Sequence, residues 1–216
     1  MKVDLLNYTP LEMAIKAIRM CYRSEGKSDT TYHFLDVCDG APQWKIEYGE
    51  KDKELIKRIV KSGHTSTVES ISYVYQIEGV SRITLLQMER HRHISYSVES
   101  QRYVTQENAD FIIPPTIKNM EYGELEQVYK FLEKAKELYN HLIFEGIPKE
   151  DARYFLPQGI TTNLVMTINA RSLRNFLQLR LDPKAQWEIR QLAENMFLKL
   201  PKAHRETIFY DIKLGK

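Results

Sequence analysis

Residues 89–103 read Glu-Arg-His-Arg-His-Ile-Ser-Tyr-Ser-Val-Glu-Ser-Gln-Arg-Tyr, with three arginines, two histidines and two glutamates in fifteen positions. Such a run suits a metal site, a nucleic-acid contact or a pocket for a small anion. Metal is the weak reading. His91 and His93 stand two apart, so a helix points them in different directions, and no neighbouring cysteine or further histidine completes a ligand set. No metal is expected. Nucleic acid is weak too, because basic and aromatic residues interleave over this one segment only. The plainest reading is a helix C-terminus at residues 90–92, where the helix dipole favours cations. Ile83, Gln87 and Arg90 would then share one helical face, at i, i+4 and i+7.

Residues 169–182, Asn-Ala-Arg-Ser-Leu-Arg-Asn-Phe-Leu-Gln-Leu-Arg-Leu-Asp, form a second constellation. Arg171, Arg174, Asn175 and Gln178 make a polar helical face, and Leu173, Phe176 and Leu177 an apolar one. Arg180 continues the apolar face, where a guanidinium is costly unless it meets an anion or oriented acceptors. It is either a side chain snorkelling from the last turn or a group held in a partly dry pocket and aimed at something electron-rich. Gly-His-Thr-Ser-Thr-Val-Glu-Ser, residues 63–70, joins a helix end to a strand. Its short hydroxyl side chains suit a phosphate, whereas a lone histidine such as His64 in a turn is ordinarily structural. Arg153, in Asp-Ala-Arg-Tyr-Phe-Leu-Pro, is uninformative alone.

These groups need a frame. Lys-Val-Asp-Leu-Leu-Asn at residues 2–7 predicts a strand. A helix should follow from Pro10 to Tyr22, capped by Thr9 with Glu12 completing a capping box. Residues 23–50, rich in Gly, Asp and Ser, predict an irregular, mobile loop. A helix over 52–62 should end at Gly63 in a left-handed cap. Residues 70–80 alternate as a strand, and Ser81 should cap a helix running from Arg82 to Arg92. Further on, the pattern predicts a strand over 109–115, a helix over 121–145 ending at Gly146 and a short helix over 148–156. A strand over 161–169 and a helix over 170–181 come next. A helix restarting at Asp182-Pro183 should reach Leu200, with a last helix over 202–212. The fold class is mixed α/β, one domain over residues 1–216, with a central, mostly antiparallel sheet flanked by helices.

The totals narrow the partners. The 216 residues carry 31 Lys+Arg against 29 Asp+Glu, a net charge of +2, which is too even for a chain that lives on a phosphate backbone. Any basic cluster is local, and a small anion is a better partner than a duplex. No apolar window reaches the roughly 18 residues that span a membrane, so neither nucleic acid nor membrane is expected as a partner. The N-terminal segment lacks the apolar run of a signal peptide. Cys21 and Cys38 are lone thiols, which points to a reducing, cytoplasmic compartment.

Arg90-His91-Arg92, seven residues, then Ser100 resembles the RHR-x7-S signature of flavin-dependent thymidylate synthases. Residues 63–70 resemble the GH-x-S/T-x-x-E segment of that family, and residues 151–190 are similar to its C-terminal half. The matched segments keep their order over roughly residues 63–190.

The resemblance implies conversion of dUMP to dTMP, with methylenetetrahydrofolate supplying carbon and NADPH supplying hydride through FAD. It implies a homotetramer with active sites where subunits meet. Ser66, Arg90, His91, Arg92, Asn169, Arg171 and Asn175 would contact FAD. Gln87, Arg90, Arg153 and Arg180 would bind dUMP, with Glu99, Ser100, Gln101 and Arg102 holding its phosphate across a subunit boundary. His64 and Tyr103 would lie near flavin and folate, and Arg180 would be the catalytic, activating residue. Such anionic ligands call for several arginines in forked, charge-assisted contacts. The chain departs from the family pattern at Val98, where Glu or Gln is usual and Glu99 stands one step later. The competing reading is a catalytically inactive nucleotide- or RNA-binding homologue.

Overall fold

Two strands set the frame by strict alternation. In Ser72–Ser81 the side chains of Tyr73, Tyr75 and Ile77 are buried and their neighbours half-buried, and in Thr161–Asn169 those of Thr162, Leu164, Met166 and Ile168 are buried. The computed structural model describes residues 1–38, 41–108 and 110–215. In chain order its elements are β1 (Lys2–Tyr8), α1 (Glu12–Cys21), β2 (Thr31–Cys38), β3 (Ala41–Glu47), α2 (Glu50–Lys61), β4 (Ser72–Ser81), α3 (Arg82–Met88) and β5 (Ile94–Val98). Then follow α4 (Pro115–Lys118), α5 (Tyr122–Phe144), α6 (Lys149–Ala152), β6 (Thr161–Asn169), α7 (Ala170–Arg180), α8 (Trp187–Lys199) and α9 (Lys202–Thr207). The central antiparallel sheet has the order β1-β4-β6-β5 and is flanked by helices, as the sequence pattern leads one to expect.

The chain divides into two compact units, one of Met1–Val3, Gln76–His91 and Tyr96–Met166, the other of Asp4–Tyr75, Arg92–Ser95 and Thr167–Lys216. The first unit carries a core of Tyr139, Ala152, Leu156 and Ile160, with Phe111, Leu142 and Ile143 against it. Tyr139 is fully buried and its hydroxyl accepts from the Gln106 amide at 3.2 Å, which settles a polar atom that would be expensive left unmade. In the second unit Leu11, Ala14, Ile15 and Ile18 of α1 are buried, as are Ile56, Ile59 and Val60 of α2, and the two helices are in contact. Tyr73 meets Phe209 edge-on at 6.0 Å, and its hydroxyl is hydrogen-bonded to His204 Nδ1 at 2.8 Å.

Local signals hold where the chemistry is local. Ser81 Oγ accepts from the Thr84 amide at 3.1 Å, capping α3. Gly63 takes φ +82°, with His64 N donating to Ile59 O at 3.2 Å and Gly63 N to Val60 O at 3.1 Å. That is a Schellman closure of α2. Gly146 ends α5 at φ +83°.

Other expectations need correction. Thr9 does not cap α1: its hydroxyl accepts from the Ser72 amide at 3.1 Å, so the helix begins at Glu12, after Leu11. Residues 23–50 are not an irregular loop. They contain the antiparallel hairpin β2–β3, with Phe34 opposite Trp44 and their rings 5.5 Å apart. A register shift between Phe34 and Asp36 breaks the period of two that would have revealed it. Residues 39–40 of that span lie outside the described residues.

The strand expected over 109–115 is reduced to one bridge, Phe111 with Ile160, before Pro115 starts α4; its first residue, Ala109, also lies outside. The helix expected over 148–156 is α6 followed by a 3-10 turn, Arg153–Phe155. The restart at Asp182 is a turn, and α8 begins at Trp187 under a Gln186 cap. α9 ends at Thr207 rather than 212. Cys21 is an exposed free thiol, and the Cys38 side chain lies outside the described residues.

Candidate functional site

The helix expected to reach Arg92 stops at Met88. Tyr96 donates its hydroxyl to the Met88 carbonyl at 2.7 Å, closing an acceptor that the helix leaves open, and His93 turns the chain at φ +59° into β5. Burial, with the Glu89 charge adding, pushes the Tyr96 hydroxyl up to about 12, so it stays a donor. Arg90, His91 and Arg92 therefore lie beyond the helix, and the shared face of Ile83, Gln87 and Arg90 does not form. In the first unit Gln87 is half-buried in the last turn of α3 and Arg90 is exposed. His91 is buried, and its amide donates to Met88 O at 2.9 Å.

Past β5, the Glu99 amide donates to Asn163 O at 2.8 Å, which sets where the turn Glu99-Ser100-Gln101-Arg102 begins. The Glu99 carboxylate accepts from Asn163 Nδ2 at 2.6 Å. The Arg102 amide donates to Ser100 Oγ at 3.3 Å, and the Tyr103 and Val104 amides to Ser100 O at 3.2 and 2.9 Å. Lys149 donates to Tyr103 O at 2.9 Å, and Arg102 Nε pairs with Glu150 Oε2 at 2.6 Å. The turn is thus a preformed, pinned loop.

Beside it lies a cleft of about 680 Å³. Arg82, Glu89, Gln101, Arg153, Tyr154 and Gln158 supply its polar lining; Leu85, Leu86, Leu156 and Ile160 supply an apolar wall. Gln101 is 7% exposed, so the cleft's lining includes a nearly sealed carboxamide as well as two arginines. Arg153 is half-buried, with Nε donating to Glu150 O at 3.0 Å. Of the nucleotide residues expected in this unit, Gln101 and Arg153 share the cleft; Gln87, Arg90, Glu99, Ser100 and Arg102 are not among its lining.

The second unit holds the remaining expected residues. Ser66 is exposed in the 3-10 turn Thr65–Val68, and His64 is exposed, its Nδ1 3.4 Å from the Tyr22 hydroxyl. The turn is fastened to α7 by Arg171 Nη1 and Glu69 Oε1 at 2.6 Å. Asn169 caps α7, its Oδ1 accepting from the Ser172 amide at 2.8 Å. Arg92 and Asn175 are exposed.

The division of α7 into faces needs revision. Arg174, assigned to the polar face, is buried. It forks onto Asp211, 2.7 Å to Oδ1 and 2.8 Å to Oδ2, and also donates to the Ile208 carbonyl. The hydrogen bonds from Arg174 hold the Asp211 carboxyl below its ordinary range. Arg180 is half-buried in the last turn rather than sealed.

Arg82 escapes sequence reading, although one signal was there. An arginine directly behind the Ser81 cap puts a cation in the first turn of a helix, where the dipole disfavours it. Among the described residues, no group of three or more His, Cys, Asp or Glu is placed to hold a metal, and no helix is long and apolar enough to cross a membrane.

Comparison with known proteins adds an independent line. Residues 4–204 match the family described as thymidylate synthase complementing protein. A protein of Campylobacter jejuni named flavin-dependent thymidylate synthase is 39% identical over 212 residues, 95% of this chain and 94% of that one. One of the same name from Sulfurisphaera tokodaii is 39% identical over 97% of this chain and 77% of its own. The crystal structure of a flavin-dependent thymidylate synthase from Helicobacter pylori, complexed with FAD and dUMP, is similar over 100% of both chains, with a TM-score of 0.73 and 35% identity.

Proposed function

The chain belongs to the flavin-dependent thymidylate synthase family and is an FAD-dependent enzyme, and we propose that it methylates dUMP reductively to dTMP, with methylenetetrahydrofolate as carbon donor and NADPH as hydride donor. The observation that carries the reading is the cleft of Arg153 and the buried Gln101 over an apolar wall. It lies in a chain 35% identical to a protein solved with FAD and dUMP. A guanidinium and a carboxamide suit a phosphate monoester, and an apolar wall suits a sugar and a base.

The donor set fits the flavin as well. Arg171 and Asn175 are exposed on α7 next to the Asn169 cap, and Ser66 is exposed on the turn that Arg171 fastens. We assign FAD contacts to Ser66, Arg90, His91, Arg92, Asn169, Arg171 and Asn175. Held by these residues, FAD would supply hydride chemistry, with NADPH as the source of the hydride. The chain's own residues bind and polarise. Arg153, Gln101, Ser100 and Arg102 hold the nucleotide phosphate, with Gln87 and Arg90 along the nucleotide; the Glu99 side chain supports the loop. The Arg180 guanidinium favours negative charge on the uracil imide, which makes the ring nucleophilic. The enzyme acts as one cytoplasmic homotetrameric assembly. Exposed Ile83 and Leu86, on the same helix as Gln87, support sites completed by a neighbouring subunit.

The test is flavin oxidation in the purified, FAD-loaded protein, with dUMP and methylenetetrahydrofolate added separately and together. dTMP formed only with both supports the proposal. A protein that binds nucleotide yet never forms dTMP would instead be the inactive binding homologue.

A further inference from the structure

A second cleft, of about 700 Å³, lies wholly in the second unit, lined from α2, the end of α8, α9 and the turn that follows it. None of its lining residues is among those assigned to dUMP or FAD. Lys53 and Lys57 stand one turn apart on α2, and Lys202 and Arg205 one turn apart on α9. Glu50 and Glu206 are the carboxylates of the lining, so the cleft holds a surplus of two positive charges, as large as that of the whole chain. Phe197 and Tyr210 add aromatic surface. Clefts that bind small molecules have volumes of about 300–1,000 Å³.

The cations are only loosely committed. Among the described residues the half-buried Arg205 has no ion pair or hydrogen bond from its side chain. Lys53 pairs with Glu50 and Lys57 with Glu54, each at 2.7 Å, and Lys202 with Glu206 at 3.7 Å; all three carboxylates are exposed. Such pairs are worth about 1 kcal/mol or less, so an incoming anion displaces them at little cost. The Lys53 and Lys57 side chains are only 25% and 32% exposed, so less of their freedom is left to lose when an anion arrives. The hydrogen bond to Glu54 raises Lys57 above its ordinary value and the charge of Glu206 adds to it, which puts α2 and α9 within electrostatic reach across the cleft. Cations on two elements call for more than one anionic group, and the aromatic pair calls for a flat ring.

We propose that this cleft is a second ligand site that takes a nucleoside triphosphate, with Lys53, Lys57, Lys202 and Arg205 on the polyphosphate and Phe197 and Tyr210 on the base. Aromatic faces accept any base, so the number of phosphates rather than the identity of the base sets the affinity.

The experiment titrates the FAD-loaded protein with ATP, AMP and inorganic triphosphate, without divalent metal, in the absence and presence of dUMP. ATP is expected to bind about 10- to 100-fold more tightly than AMP, because two charged groups fewer reach the lysines. It should bind about tenfold more tightly than inorganic triphosphate, the worth of one stacked base. dUMP should leave the ATP affinity unchanged. R205Q and K57Q should each lower it about tenfold while flavin content holds. Absence of ATP binding overturns the proposal, as does full ATP affinity in both variants. Competition by dUMP also overturns it, because ATP then occupies the other cleft. Equal affinity for ATP and inorganic triphosphate overturns the nucleoside assignment and marks an adventitious ion only.

Discussion

The Glu99 carboxylate accepts from Asn163 Nδ2 at 2.6 Å, and the same Asn163 side chain accepts from the Gly79 amide at 3.0 Å. One carboxamide thus ties the first residue of the turn Glu99-Ser100-Gln101-Arg102 to β4 and β6. Glu99 is a positioning residue, and Val98 before it has no polar group to offer. Asn163→Ala should raise the dUMP KM about three- to tenfold, since an exposed charged pair is worth roughly 1 kcal/mol. FAD content should hold. An unchanged KM would show that the turn is set elsewhere.

Arg180 has a different signature. It sits at the end of α7 away from the Asn169 cap, so Arg180→Ala should keep bound flavin, read from its visible absorbance. dTMP formation should fall by about 100-fold or more, the usual loss when a preorganised charge stabiliser is removed. Undiminished turnover would refute the activating role.

Arg174 supports α7 rather than the chemistry. Asp211→Ala leaves a buried guanidinium whose remaining partner among the described residues is the Ile208 carbonyl. Because the Asp211 side chain is 39% exposed, the cost should be about 2 kcal/mol rather than the full buried-pair value. A urea midpoint measures it, and Arg174→Met combined with Asp211→Ala should recover part of the loss.

His204 predicts an acid weakness. Burial lowers its folded value to about 4, against 6.5 when free. Between those values the unfolded chain binds a proton that the folded chain refuses, so stability rises with pH across that window. Lowering the pH from 6.5 to 4 is therefore expected to remove up to about 3 kcal/mol, and His204→Phe should flatten this slope. Thermal melts at stepped pH decide it, and equal slopes would remove His204 as the cause.

How far the fold and the site could be read beforehand depended on the range of the interactions. The alternation in β4 and β6, the Ser81 and Asn169 caps and the left-handed Gly63 and Gly146 are consequences of neighbours within four residues, and composition expresses them directly. The family was equally open to reading, because its motif sets particular side chains at particular spacings along the chain. Where α3 ends was not, since the Met88 carbonyl takes, besides the His91 amide, a hydroxyl that arrives only once β5 is laid down. Nor was the β2–β3 hairpin, whose partners are strands rather than turns of one helix. The arginines show the limit best. Arg174, Arg180 and Arg82 look alike in sequence. Arg174 is buried because Asp211, 37 residues away, meets it; Arg180 stays half-open; and Arg82 is half-buried, its Nη1 sealed, in the lining of a cleft that Arg153 shares. The burial of a charge is settled by which distant group arrives to face it, and that is a property of the folded chain alone.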